Sequence, residues 1–297
     1  MNISKNIGYY FILPGLLSIL AVIAIGLWGL KPGIDLAGGS LLEVKYPAGR
    51  PAIELVREKT SALGLGEVRV QPTGEEGYIL RQRNLTVAEK ESLEATLGMP
   101  QTAEEVQFTS IGPSIGQELM SKAWIAISLV VILTILFIAF AFRHASKPSS
   151  WKYGIVAIVT LLHDILIPTG LFALLGHMIG AEVDALFIVA LLTILGISIN
   201  DTIVVFDRIR ENLRLNDEKR KHEEFSEVVD RSIRQTIARS INTSMTVIIV
   251  LLFLYFLGPE STANFALTLT VGMIAGTYSS IFLAAPLLVV WEKFSHK

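Results

Sequence analysis

Residues 185–206 read ALFIVALLTILGISINDTIVVF, an almost continuous apolar stretch in which Asp201 is the one ionisable side chain. An α-helix that crosses the hydrocarbon core of a bilayer needs about 20 mostly apolar residues, so this stretch predicts a transmembrane helix. Ionisable side chains inside such helices are costly, and they mark ion pathways or pairing sites. The stretch therefore indicates a membrane protein and raises the question of why a carboxylate lies there.

The composition of the whole chain indicates the same class of protein. Of its 297 residues, 52% are hydrophobic and 18% are charged, and the mean hydropathy is +0.55. Soluble domains are less apolar than this. Six apolar windows are long enough to span a bilayer: residues 9–30, 123–142, 153–175, 185–206, 241–258 and 264–291. We therefore predict an α-helical membrane protein with six transmembrane helices. The net charge of −2 offers no basic excess that would indicate nucleic acid as a partner.

The basic residues of the loops predict the orientation of the chain, because Lys and Arg are concentrated on the cytoplasmic side of a membrane. The segments that follow the second and fourth windows contain Arg143, Lys147, Lys152, Arg208, Arg210 and Arg214. Residues 176–184 and 258–263 contain neither Lys nor Arg. Both termini are then cytoplasmic, and residues 31–120 are extracytoplasmic. Residues 1–30 are expected to be a retained anchor helix, since no small-residue cleavage site follows their apolar run.

Residues 31–120 have the pattern of a small folded domain. Strand-like segments occur at residues 40–46, 67–72, 77–83 and 104–111, and helical patterns occur at residues 50–64 and 86–98, the second with Thr86 as its N-cap. The order βαββαβ is that of a ferredoxin-like domain. The domain has no His, Cys or carboxylate cluster for catalysis or metal binding, which favours a binding or lever-like role over an enzyme. Residues 121–297 are expected to form a five-helix membrane bundle with a cytoplasmic loop at about 207–240.

Two ionisable positions of the membrane part are candidates for a proton relay. Asp201 lies about five residues from the middle of its window, roughly 8 Å toward the cytoplasmic end, and Arg239 stands before the fifth window at the same end. A carboxylate near an Arg and near water is a suitable proton carrier, because small changes around it switch its charge. The supporting polar residues are Asn200, Thr202, Asn242, Thr243, His163 and Asp164. A static ion pair that fixes helix packing is the alternative for Asp201 and Arg239, and a packing hydrogen bond is the alternative for Asp164 and His163.

Small residues in the last window predict close helix packing. Gly272, Gly276 and Ser280 follow one another at four-residue spacing, which lets the backbones of neighbouring helices approach. Pro168 and Pro286 indicate local kinks.

Six segments of the chain carry a resemblance to a known family: GIDLAGGSLLEV (33–44), GPSIGQEL (112–119), LLHD (161–164), GISINDTIVVFDRIREN (196–212), RSINTSMTV (239–247) and GTYSSIFLAAPL (276–287). In this order they resemble the SecF family of bacterial protein-export subunits, which belongs to the resistance-nodulation-division superfamily. The fourth segment is the most specific of them.

The resemblance implies a function in the bacterial cytoplasmic membrane. It implies an accessory subunit of the Sec translocase that pairs with SecD, associates with the SecYEG channel and uses the proton-motive force to help draw preproteins out of that channel. The family's intramembrane acid and its basic partner fall on Asp201 and Arg239. The resemblance implies no enzyme activity, cofactor or metal.

Three questions stay open at the level of sequence. A carboxylate among hydroxyl and amide oxygens suits either H⁺ or Na⁺ as the coupling ion. A scaffold subunit, in which Asp201 and Arg239 only hold the bundle together, is an alternative function. An intramembrane aspartyl protease built on Asp164 and Asp201 is a weaker alternative, because the sequence has GISIND where those enzymes have GxGD.

Overall fold

A computed structural model of the chain describes residues 3–143 and 149–295. Lys147, one of the basic residues used to predict orientation, lies outside the described residues. In chain order the elements are α1 (Ile3–Trp28), α2 (Ile34–Ala37), β1 (Gly39–Lys45), α3 (Ile53–Ser61), β2 (Arg69–Thr73), β3 (Gly77–Gln82), α4 (Val87–Leu97), β4 (Glu104–Ile111), α5 (Pro113–Ala141), α6 (Ser150–Met178), α7 (Ala185–Glu218), α8 (Phe225–Leu257), α9 (Glu260–Ser279), a π-helical turn (Ser280–Ala284) and α10 (Ala285–Ser295).

The elements separate into two compact units. The membrane unit consists of Met1–Lys31 and Ile125–Lys297, and the sheet unit consists of Pro32–Trp124. Six helical spans are long and apolar enough to cross a membrane: Gly8–Trp28, Pro113–Ala141, Ser150–Met178, Ala185–Glu218, Phe225–Leu257 and Ser261–Phe294. The prediction of six transmembrane helices is thus confirmed.

The sheet unit has the predicted βαββαβ order. Its four strands are arranged β2-β3-β1-β4, and every neighbouring pair is antiparallel. Alternate residues of the strands face the two helices, because successive side chains of a strand point to opposite faces. The core they form contains Leu42, Val44, Tyr78 and Leu80 from the strands and Val56, Leu93 and Leu97 from the helices. This is the strand order of a ferredoxin-like domain.

Two glycines allow the segment that enters this sheet to pack closely against the segment that leaves it. Gly38 precedes β1 with a φ of +79°, and a Cβ atom there would lie 2.7 Å from the Cα atom of Pro113. A Cβ atom on Gly116, in the first turn of α5, would lie 2.6 Å from the backbone nitrogen of Gly38. Side chains at these positions would collide with backbone, so only glycine lets the segments 33–44 and 112–119 pass so closely.

The segment expected as a loop at about 207–240 is helical over most of its length. Helix α7 continues to Glu218 and α8 begins at Phe225. The apolar windows ended earlier because charged residues begin there, but Ile209, Val229 and Ile233 are buried in the same core cluster. The two helices therefore pack as a hairpin beyond the apolar windows.

The last span is not a single regular α-helix. A π-helical turn at Ser280–Ala284 separates α9 from α10, and Pro286 lies in the first turn of α10. Proline lacks the backbone N–H that would bond to the carbonyl four residues earlier, so the regular ladder is interrupted near it. Wide turns of this kind occur often at functional sites.

Candidate functional site

Asp201 lies on α7 inside the membrane unit and is only 7% exposed. The Ser244 hydroxyl on α8 donates to its carboxylate over 3.5 Å. The Thr277 hydroxyl on α9 lies 2.6 Å from the Ser244 oxygen and also lies 2.6 Å from the Met273 carbonyl of its own helix. Three helices thus meet at one buried carboxylate through a chain of hydroxyl groups.

Two further buried hydroxyl groups have no hydrogen bond of good geometry among the described residues, although that of Ser240 still lies close enough to Asp201 to interact with its carboxylate. They belong to Thr202 and Ser240. Unsatisfied buried hydroxyl groups are costly, and a site that holds them is suited to taking up water beside Asp201.

Arg239 occupies a different position from the one an ion pair requires. Its side chain is exposed, and within residues 3–143 and 149–295 it makes no ion pair with Asp201. The relay role of the two residues stays a prediction, and the direct contact to Asp201 comes from Ser244.

The other predicted polar residues divide into buried and exposed ones. Thr202 is buried, and Asn200, Asn242 and Thr243 are exposed on the membrane unit. The exposed residues belong to helical spans, where polar groups must face protein or water rather than lipid. They therefore indicate a surface that faces protein or water rather than lipid.

His163 and Asp164 form a second buried polar cluster on α6, together with Ser198 and Tyr278. The His163 Nδ1 atom lies 2.9 Å from the Asp164 Oδ1 atom. The Ser198 hydroxyl on α7 donates to the Asp164 Oδ2 atom. On the other side of the imidazole, the Tyr278 hydroxyl on α9 lies 2.6 Å from the His163 Nε2 atom.

Close packing of α7 on α9 holds the two clusters side by side. A Cβ atom on Gly276 would lie 3.0 Å from the Ser198 Cβ atom, and one on Gly272 would lie 2.1 Å from the Ile194 Cδ1 atom. The structure thus shows the close helix approach that the small residues predicted. It places Ser198 one helical turn from Asp201 on α7, and Tyr278 directly after Thr277 on α9.

A buried ion pair joins α6 to α10. The Lys152 Nζ atom lies 2.7 Å from the Glu292 Oε2 atom, and the two side chains are 6% and 11% exposed. Lys152 is one of the basic residues that predicted the orientation of the chain. The sequence alone does not distinguish a basic residue whose buried partner lies 140 residues away from a basic residue that is exposed to solvent. Asp207 and Arg210, by contrast, form a half-exposed pair at 2.7 Å, and so do Arg208 and Glu211 at 2.5 Å, as expected for a solvated cap.

The part of the chain that the structure describes contains no group of three or more His, Cys, Asp or Glu side chains arranged to hold a metal ion. The two clusters themselves consist of hydroxyl, imidazole and carboxylate groups, which exchange and pass protons.

Comparison with known proteins gives a consistent result. The family model described as protein export membrane protein SecD/SecF, C-terminal, matches residues 91–294. The chain is 42% identical to the protein translocase subunit SecF of Thermobaculum terrenum, over 95% of this chain and 91% of that protein. It is 33% identical to the protein translocase subunit SecDF of Bacillus subtilis, over 96% of this chain and 37% of that protein.

Solved structures show the same similarity. The crystal structure of SecDF from Thermus thermophilus superposes with a TM-score of 0.86 at 32% identity, over 99% of this chain. SecDF in its super-membrane-facing form gives a TM-score of 0.68 at 32% identity, over 97% of this chain. In both cases this chain spans 39% of the larger SecDF chain.

Proposed function

The chain belongs to the SecD/SecF family of protein-export membrane proteins, and we propose that it is a Sec translocase subunit that couples proton movement to a late stage of preprotein export. Its relatives are named as protein translocase subunits rather than enzymes, so we assign it no catalytic reaction. Asp201 is the proton carrier in this proposal. Arg239 supplies the positive charge that acts on the carboxylate.

The burial of Asp201 among hydroxyl groups carries the proposal. Burial of a carboxylate in an apolar span, where Asp201 is 7% exposed, is costly in free energy, and such residues mark functional sites. The contact of Asp201 is a long hydrogen bond from Ser244 rather than an ion pair, and the carbonyl oxygen of a protonated acid can still accept such a bond. A static lock between Asp201 and Arg239, as the scaffold alternative requires, has no direct contact to support it among the described residues.

Protonation of Asp201 changes the contact of three helices at once. A proton that enters from the outside neutralises the carboxylate, and the hydroxyl chain through Ser244 and Thr277 then rearranges between α7, α8 and α9. Release to the cytoplasm restores the charge. One charge that crosses the membrane contributes about 2.3 kcal/mol per 100 mV, which is enough to shift a two-state equilibrium but not to refold a domain. The movement that results is transmitted to the sheet unit.

SecD is the expected partner in the membrane. The Bacillus subtilis relative carries the combined name SecDF, and this chain spans 37% of it. Asn200 on α7 and Thr243 on α8 are polar, exposed and located in spans, where lipid cannot satisfy them. A second bundle packed on this surface supplies the missing contacts. The SecYEG channel and the preprotein are the further partners that the family implies.

The location follows from the loops. The chain lies in the bacterial cytoplasmic membrane with both termini in the cytoplasm. The sheet unit, which contains all of the predicted domain of residues 31–120 except Lys31, lies outside. The α7–α8 hairpin, with its exposed ion pairs Arg208–Glu211 and Arg210–Asp207, faces the cytoplasm.

Preprotein export into inverted membrane vesicles tests the function. The vesicles contain SecD, the channel and either the wild type or Asp201→Asn, and they are supplied with ATP with and without a proton gradient. Asp201→Asn is expected to remove the gradient-dependent part of export, because an amide keeps the hydrogen bond but neither takes up nor releases a proton. The matched control is Asp207→Asn on the same helix, which changes an exposed carboxylate and is expected to keep that part.

Two outcomes would contradict the proposal. If Asp201→Asn assembles with SecD and remains as sensitive to the gradient as the wild type, Asp201 is a packing residue. If a sodium gradient sustains export where a proton gradient does not, the coupling ion is Na⁺.

A further inference from the structure

Asp164 is a second buried carboxylate that the mechanism above does not use. It is 0% exposed, and the structure gives it two contacts, one from His163 and one from Ser198. No Lys or Arg within the described ranges forms an ion pair with it. Among the residues whose side chains are described, His163 is therefore the only group in contact with Asp164 that can carry a compensating positive charge.

The hydrogen bonds of His163 are satisfied in two protonation states. When the imidazole is neutral, Nδ1–H donates to Asp164 and the Tyr278 hydroxyl donates to Nε2. When the imidazole carries a second proton, Nε2–H donates instead, and the Tyr278 oxygen accepts at the same 2.6 Å position. A hydroxyl group is both donor and acceptor, so a rotation of the Tyr278 O–H bond is the only change that the contact requires.

The two states differ in charge. With a neutral imidazole the cluster carries one negative charge away from water, and with an imidazolium it is neutral overall. An uncompensated buried charge is costly, whereas a hydrogen-bonded pair of opposite charges is tolerated. Histidine is the side chain whose charge changes nearest to physiological pH. The geometry therefore allows one proton to be held and released without breaking a hydrogen bond.

We propose that Asp164 and His163 form a second protonatable site of this membrane unit, which exchanges its proton through the Tyr278 hydroxyl. This inference rests on the proposed function, because it adds a second station to the proton movement assigned to Asp201. Tyr278 is only partly buried, whereas Asp164 and His163 are buried. The proton therefore enters and leaves on the α9 side of the imidazole.

The second site is coupled to Asp201 through two helices. Ser198, which donates to Asp164, precedes Asp201 by one turn on α7. Tyr278 follows Thr277, whose hydroxyl contacts Ser244, the donor to Asp201. A change of charge at Asp164 and His163 thus alters contacts on α7 and α9, two of the three helices that hold the first site.

The other titratable groups around the second site are few. On the neighbouring helices, Asp201 lies one turn from Ser198 on α7, Arg239 is exposed on α8 and Tyr278 itself lies on α9. On α10, Glu292 is paired with Lys152, about three turns of α6 away from His163. Helix α1, where its side chains are described (residues 8–28), contributes tyrosines but no carboxylate or basic group. A pH response of the second site is therefore assigned to His163 and Asp164.

The vesicle assay is the test, with the rate of gradient-dependent export measured as a function of pH. His163→Asn places an amide nitrogen where Nδ1 donates to Asp164, but the shorter side chain cannot also contact the Tyr278 hydroxyl. Tyr278→Phe removes only the hydroxyl. Both variants are expected to assemble with SecD, to keep export driven by ATP alone and to lose the gradient-dependent part together with its pH profile. The matched control is Tyr255→Phe on α8, which is expected to behave as the wild type.

The outcomes separate this inference from the proposed function. If Asp201→Asn loses gradient-dependent export while His163→Asn and Tyr278→Phe keep it with an unchanged pH profile, the second site is only structural and the proposed function stands. If Asp201→Asn itself keeps gradient-dependent export, the proposed function fails. If His163→Asn does not assemble with SecD, Tyr278→Phe decides the question alone, because it leaves the buried carboxylate and imidazole in place.

Discussion

In the sheet unit, the Glu89 carboxylate accepts hydrogen bonds from more donor groups than any other carboxylate whose hydrogen bonds are described. The Arg83 guanidinium donates to it over 2.5 Å, and the Thr86 backbone N–H and hydroxyl donate over 2.8 Å and 2.9 Å. These hydrogen bonds, first that of Arg83, lower the pKa of Glu89 from 4.5 to about 2. A lowered pKa means that the contribution to stability is complete above about pH 4.5 and is lost as the pH falls toward 2.

This shift predicts how acid affects the start of α4. In the wild type, protection of the α4 backbone against hydrogen exchange in the full-length protein is expected to fall between about pH 4.5 and pH 2, after correction for intrinsic rates. Glu89→Gln is expected to show weaker protection at neutral pH and a smaller fall. The control is Glu91→Gln on the same helix, whose carboxylate has no hydrogen bond among the described residues. Identical profiles for Glu89→Gln and the wild type would contradict the prediction.

The residues of the candidate site were predictable to different degrees. Asp201 and the Thr86 cap could be found in the sequence, because a carboxylate in an apolar run and a Thr before a helix are local signals. Ser244 and Tyr278 could not, since their roles depend on how α8 and α9 are rotated against α6 and α7. A sequence also cannot separate Asn200, which is exposed, from Thr202, which is buried two residues later.

At the scale of the elements, the Lys152–Glu292 ion pair fixes α10 on α6. Breaking a buried pair by removing one partner costs about 3–5 kcal/mol, because a charge is left buried without compensation, whereas replacing both partners by apolar residues costs little. Lys152→Met and Glu292→Leu are each expected to lower the free energy of unfolding by about that amount, and the double variant is expected to recover most of it. Denaturant unfolding of the SecD complex measures the three variants.

An exposed pair provides the control for this cycle. Arg214 and Glu218 lie four residues apart on α7, with side chains exposed by 74% and 58%. The same double-mutant cycle on this pair is expected to give a coupling of about 0.5 kcal/mol or less. Additive effects of Lys152→Met and Glu292→Leu would show that the buried pair does not hold α10.

The existence and order of the elements could be predicted, but their lengths could not. Periodicity and turn residues gave the four strands and the helices α3 and α4 of the sheet unit, but not the four-residue helix α2. The apolar windows located every span. They ended too early at the α7–α8 hairpin, because a helix that packs on another helix outside the bilayer is amphipathic rather than uniformly apolar.

For the whole molecule, the exposed polar residues of the spans predict a partner that replaces lipid. Phe137 on α5 is 56% exposed, but as an apolar side chain it is satisfied by lipid, whereas Asn200 on α7 is not. The chain has no cysteine, so a spin label at a single introduced cysteine has no background. Binding of SecD is expected to lower the oxygen accessibility of a label at Asn200→Cys and to leave that at Phe137→Cys unchanged. A label at Asn200→Cys that stays accessible in the complex would place the interface elsewhere.

The partner itself could be inferred only in outline from one chain. Composition shows that the six spans need a membrane, and the polar surface shows that lipid alone is insufficient. The identity of the covering surface lies in a second sequence, and this limit is physical, since half of an interface does not determine the other half.

The π-helical turn at Ser280–Ala284 has a consequence for the angular phase of the last span. Tyr278 and Glu292 are 14 residues apart (292 − 278), which in an unbroken α-helix of about 100° per residue would put them on nearly the same side. A turn that holds one extra residue displaces everything after it by about 100°. Residues after the wide turn, Glu292 among them, therefore have a different angular position from the one that an unbroken α-helix would give them, and deletion of a single residue within the turn is expected to rotate Glu292 away from Lys152.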